Sequence, residues 1–211
     1  ATPMSNKPVG PLEFIESDWG LRMKLYPVQR VIIKAHYGIP LDDTTPFTIT
    51  NWKRENPRQM TEKEYLAYLY SEGRSNIKEV IPGKQLPKMC LSLGRRSGKT
   101  SLAACIFGYE TYKLILKGDP QKYYGLPATN NIQLIAVATD KDQAGLLYQE
   151  VSGHFRSCNF FAPYTANNTQ SYARFQTPED VAKYGSYADN QGAKATIKVT
   201  FRSCVAKGLR G

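Results

Sequence analysis

Residues 91–100 read Leu-Ser-Leu-Gly-Arg-Arg-Ser-Gly-Lys-Thr. An apolar stretch ends, a turn carries two glycines, and Gly-Lys-Thr opens a second apolar stretch. That order constrains the fold more than any other segment. It calls for a strand over residues 87–93, a tight turn, and a helix from residue 99 toward Leu116. Such a turn points backbone N–H groups inward and holds a nucleotide's phosphates at a helix N-terminus. Gly98 allows close backbone approach, Lys99 reaches the β/γ-phosphates, and the Thr100 hydroxyl is placed for Mg²⁺. Gly94, Arg96, Ser97, Gly98, Lys99, Thr100 and Ser101 are the expected cradle for ATP. The usual spacing is G-x-x-x-x-G-K-[ST]; here Leu93 holds the first position and Gly94 follows it. A basic turn without ligand is the alternative.

The rest of the chain reads as one α/β domain with an N-terminal extension. Residues 1–20 are punctuated by Pro and Gly and suggest an irregular arm. Residues 26–37 carry apolar side chains at helical spacing, with Pro27 in the first turn and Gly38 after the last. Residues 41–60 read as loop. Thr61 and Glu64 form a capping box for a helix to about Glu72, and residues 73–86 form a Gly/Pro-rich linker. Beyond the phosphate-loop helix, residues 132–138 are a buried strand, and Asp140 caps a helix to about Arg156. Residues 157–170 and 178–193 read as loops, 171–177 as a short strand, and 195–201 as a half-buried strand. The expected boundaries are an arm at 1–20, a helical segment at 21–85 and a nucleotide-binding core at 86–211. Strands alternating with helices imply a mostly parallel sheet.

Charge narrows the partners. The net charge is +10, from 28 Lys/Arg and 18 Asp/Glu. Residues 1–85 hold 12 basic and 10 acidic residues, whereas residues 86–211 hold 16 and 8. The surplus in the second part favours polyanions, nucleic acid first; an acidic protein surface would serve the same charge. No apolar run approaches a membrane span, and no signal segment opens the chain. The four cysteines have no zinc-like spacing, so reduced thiols in a cytosolic setting are expected.

Three further features bear on chemistry. Gln29, with Tyr26 beside it, can read an adenine edge or simply start a helix. Arg95 and Arg96 can meet γ-phosphate charge bidentately, pair with a carboxylate, or face solvent. Hydrolysis also needs acidic residues at the end of a second strand. Asp140 is the nearest match, but Lys141 follows it, and its capping role is the favoured reading.

Taken in order, Leu25-Tyr26-Pro27-Val28-Gln29, Gly94-Arg95-Arg96-Ser97-Gly98-Lys99-Thr100, Ala138-Thr139-Asp140-Lys141-Asp142-Gln143-Ala144 and Lys207-Gly208-Leu209-Arg210-Gly211 resemble the large terminase subunit of tailed bacteriophages. The resemblance covers about residues 20–211. It implies an ASCE/RecA-like P-loop NTPase that couples ATP hydrolysis, with Mg²⁺, to moving double-stranded DNA into a procapsid. Gln29 and Tyr26 would hold adenine, Lys99 and Arg95 would act on the phosphates, and Arg210 would reach a neighbouring subunit's site. The implied partners are DNA, a portal protein, a small terminase subunit and further copies in a ring of five, in the host cytoplasm. The acidic Mg²⁺-binding strand and a nuclease domain would follow Gly211, so this piece alone is expected to lack turnover. A related helicase or translocase, or a nucleotide-binding fragment without turnover, are the alternatives.

Overall fold

The computed structural model describes residues 8–50, 56–94, 97–169 and 171–204. The chain divides into two compact units, Ala1–Met23 with Arg95–Gly211, and Lys24–Gly94.

The smaller unit is built on two helices, α2 (Pro27–Tyr37) and α3 (Glu62–Ser71), which pack together. Both helices start where expected. The Thr61 hydroxyl accepts from the Glu64 N–H at 3.2 Å, and the Glu64 carboxylate accepts from the Thr61 N–H at 2.9 Å. Gly38 ends α2 at φ +67°, and a Cβ there would lie 2.6 Å from the Lys84 backbone. Only glycine fits this close return of the linker. Lys34 and Glu62 join the helices by an ion pair. Within residues 41–60, expected as loop, β1 (Phe47–Ile49) and β2 (Arg58–Met60) pair antiparallel. Two three-residue strands carry too little pattern to be read from sequence.

The larger unit has a four-stranded sheet, of β3 (Ile132–Ala138), β4 (Thr165–Asn168), β5 (Tyr172–Phe175) and β6 (Ile197–Ser203), in the order β3-β6-β5-β4. Only β3 and β6 run parallel, in register from Ile132↔Ile197 to Ala138↔Ser203; β5 pairs antiparallel with both β6 and β4. The sheet is therefore mixed, not mostly parallel. The short connection between Asn168 and Tyr172 forces β4 and β5 to pair antiparallel, since a parallel partner needs a crossover. Two helices, α4 (Lys99–Leu116) and α6 (Lys141–Ser157), pack together, and both contact β6. On the other face Ile135 and Val137 are 51% and 53% exposed.

Two further expectations change. Residues 88–94 take no regular secondary structure, where a strand was expected. A lone extended segment becomes a strand only through a ladder partner, and neither sheet includes it. The supposed arm is not irregular throughout: α1 (Pro11–Glu16) buries Phe14 and Ile15 and packs on α4. Short helix α5 (Pro120–Tyr123) forms between α4 and β3, and α7 (Pro178–Tyr184) forms where a loop was expected. Thr177 and Asp180 cap α7, and the Asp180 carboxylate also accepts from the Thr196 N–H and hydroxyl at 2.9 and 2.8 Å. No described helix is long and apolar enough to cross a membrane.

The core of this unit is aromatic. Phe14 stacks on Tyr112 with ring centroids 4.2 Å apart, and meets Phe160 and Phe161 edge-on at 6.1 and 6.0 Å. Phe155 and Phe161 continue the cluster to Phe175 of β5. Gly108 of α4 lets Leu21 approach: a Cβ there would lie 2.6 Å from a Leu21 methyl.

Candidate functional site

Gly98 is the residue before α4 and sits at φ +74°, ψ +26°. This is the left-handed region, which costs an L side chain about 1–2 kcal/mol. Gly98 thus turns the incoming chain sharply into the helix, and its carbonyl accepts the first helical bond, from Leu102 N–H at 2.9 Å. Lys99 and Thr100 occupy the first turn with exposed side chains. A helix leaves its first amides without an intrahelical acceptor, and the macrodipole adds positive potential there. With 18 residues, α4 is long enough for the full effect. The expected order of turn, Gly-Lys-Thr and helix is therefore present, although the strand before it is not.

Ser101 is held by a contact that sequence reading missed. Its hydroxyl donates to Glu150 Oε1 at 3.0 Å, and His154 Nε2 lies 3.8 Å from the same oxygen. Glu150 and His154 are i, i+4 neighbours on α6, but the approach to α4 spans 49 residues and is tertiary. The Ser101 side chain thus braces α4 against α6, which leaves its backbone amide as its means of meeting a phosphate.

Asp140 is the N-cap of α6: its Oδ1 accepts from the Gln143 N–H at 2.8 Å. The capping role favoured from sequence is the one it performs. Among the described residues, no three His, Cys, Asp or Glu side chains converge as a metal group. Thr100 fits as one hydroxyl ligand for a phosphate-bound Mg²⁺.

Gln29 and Tyr26 lie in the smaller unit. The Gln29 carboxamide oxygen accepts from the Tyr26 N–H at 2.9 Å and so caps α2, and the residue is only 7% exposed. Tyr26 is 75% exposed. Gly94 belongs to the same unit as these two, whereas Ser97, Gly98, Lys99, Thr100 and Ser101 belong to the larger one. Arg95, Arg96 and Arg210 lie outside the described residues.

Lys99, Thr100 and the amides of the α4 first turn can bind a polyphosphate by charge and backbone donation. Comparison with known families agrees: residues 6–190 match the family described as "Uncharacterized protein MJ0330, N-terminal P-loop domain". No curated protein and no solved structure is significantly similar to the chain. The match spans well over half of the sequence and takes in both the smaller unit and the glycine-lysine-threonine turn, so the chain belongs to this P-loop family.

Proposed function

We propose that the chain is the ATPase part of a viral DNA-packaging motor of the large-terminase kind, with an ASCE/RecA-like core. The observation that carries the nucleotide part is Gly98 in the left-handed region at the head of α4, with Lys99 and Thr100 exposed in the first turn. The packaging part is supported by the terminase-like order of motifs around Gln29, Lys99, Asp140 and Arg210, and by the basic surplus of residues 86–211. In this reading water attacks the γ-phosphorus in line with the leaving β-phosphate oxygen. Lys99, Arg95 and a neighbour's Arg210 hold the charge that builds on the phosphate oxygens. Mg²⁺, when bound beside Thr100, would share that charge. Double-stranded DNA, a portal protein, a small terminase subunit and other copies in a ring would be the partners, in the host cytoplasm. A nucleotide-binding module without turnover is a second reading, favoured by the lack of a converging acidic group among the described residues.

The test is ATP binding by this chain and DNA-stimulated turnover by the intact subunit that the first reading implies. Lys99→Ala is expected to weaken ATP binding and to lower turnover by at least ~100-fold. Unchanged binding and turnover would sink the site. Turnover indifferent to added duplex DNA would remove the packaging role, and binding with no turnover in the intact subunit would favour the second reading.

A further inference from the structure

One face of α6 borders two cavities, of about 530 and 320 Å³, that share Gly145 and Tyr148 as lining. They form one groove, bordered on its far side by Asn168, Thr169, Ser171 and the end of β6. Lys141 and Arg156 mark its ends on α6, and β6 borders it at Phe201 and Ser203. We propose that this groove binds the phosphodiester backbone of a nucleic acid.

Charge is the first support. The groove carries two cations, Lys141 and Arg156, and no carboxylate. Among the described residues, neither of the two makes an ion pair. Arg156 is aimed by Ser152, whose carbonyl and hydroxyl accept from its Nε and Nη2 at 3.3 and 3.0 Å. The cavity below α5 differs. There Lys122, Lys183 and Lys194 are offset by Asp119, Glu179 and Asp180.

Neutral donors add to this. The Tyr148 hydroxyl donates to Asn168 Oδ1 at 2.6 Å and fixes that amide, whose buried Nδ2 finds no acceptor in the chain. Gln149, Thr169 and Ser171 also line the groove. Side chains of these types make the contacts that position a nucleic-acid backbone.

Gly145 is the second, independent support. It sits inside α6, where glycine costs about 0.5–1 kcal/mol relative to alanine. Among the described residues nothing crowds it: a Cβ there would meet no atom within 4 Å, as is also true of Gly153 farther along α6. Its place is the shared floor of both cavities, where a missing side chain lets a bound backbone come close.

Length and shape select the ligand. Lys141 and Arg156 stand about 22 Å apart along the helix axis, which spans about six nucleotide steps of one strand. The rings of Tyr148 and Phe201 are buried against each other, 5.3 Å apart, so neither offers a face for base stacking. The groove therefore reads backbone and not sequence. This deepens the DNA-handling reading, but it rests on α6 and β6 and not on the phosphate loop.

The test is fluorescence anisotropy of the 211-residue chain, without nucleotide, against labelled 30-mer duplex and single-stranded oligonucleotides over a salt series. Lys141→Ala and Arg156→Ala should each weaken binding on the order of five- to tenfold at 0.1 M salt and lower the salt slope by about one. Lys122→Ala and Lys183→Ala should not. Gly145→Leu should weaken binding with no fall in melting temperature, which separates occlusion from misfolding. Binding that is insensitive to sequence supports the proposal. Equal losses in groove and control variants would reduce the effect to diffuse charge and overturn it. So would the absence of binding, or a polyglutamate peptide competing as well as the oligonucleotides, which would assign the groove to an acidic protein. Because nucleotide is absent, failure of ATP binding or turnover leaves this result standing, and the reverse holds too.

Discussion

Single residues carry the chemistry here, and burial sorts them. Cys105 and Cys158 are buried, whereas Cys90 and Cys204 are exposed. Burial pushes the Cys105 thiol up to about 12, and the Cys158 thiol upward as well. The thiolate is the reactive form. Titration of the native chain with a thiol reagent at pH 8 should therefore show two fast groups and two that react only on unfolding. Four equally fast groups would contradict this packing. The sign of the linkage follows: for Cys105 the stabilising share is complete below the unfolded thiol value near 9 and is lost as pH rises toward 12. At this scale the phosphate-loop glycine and the Asp140 cap were legible, because each depends on a few neighbours along the chain. The engagement of Ser101 by Glu150 was not, and for Gln29 the sequence left the helix start and the adenine edge both open.

Elements were legible in proportion to their length. The helices α2, α3, α4 and α6 and the strand β3 appear close to their expected limits, since each carries several turns or repeats of apolar spacing. A local signal starts α6, the Asp140 cap. Removing its cap with Asp140→Ala should cost about 1 kcal/mol, measured by urea denaturation. A loss near zero would mean that α4 and the sheet alone hold that helix start. Of the short strands, β5 was expected, whereas β1, β2 and β4 escaped notice because their partners define them. β4, with the sequence Thr-Ala-Asn-Asn, has no strand-like pattern and exists through its pairing with β5. The reverse error at residues 87–93 has the same cause, an apolar segment with no neighbour to complete its hydrogen bonds.

At the scale of the molecule, residues 8–23 fold with the larger unit and supply part of its core. Phe14 is the link, touching Trp19, Tyr109, Tyr112, Phe160 and Phe161. Phe14→Ala should destabilise the larger unit by about 3–5 kcal/mol, seen as a lowered midpoint in chemical denaturation. A change under about 1 kcal/mol would show that α1 is a peripheral attachment. The same scale sets the sheet's asymmetry. One face is covered by α4 and α6, and the other presents Ile135, Val137 and the basic Lys198, Arg174 and Arg202 side by side through the strand registers.

Local order along the chain was enough to establish a phosphate-binding turn at the head of a long helix, the capped helices around it, and a basic second part. These depend on backbone conformation and spacing within a few residues, where propensity and capping act. Folding in three dimensions decided the mixed sheet, the recruitment of the N-terminal helix into the aromatic core, and the joining of Lys141 and Arg156 with Asn168 and Phe201 along one groove. Each of these depends on residues that are far apart in the chain, and only their packing brings them together.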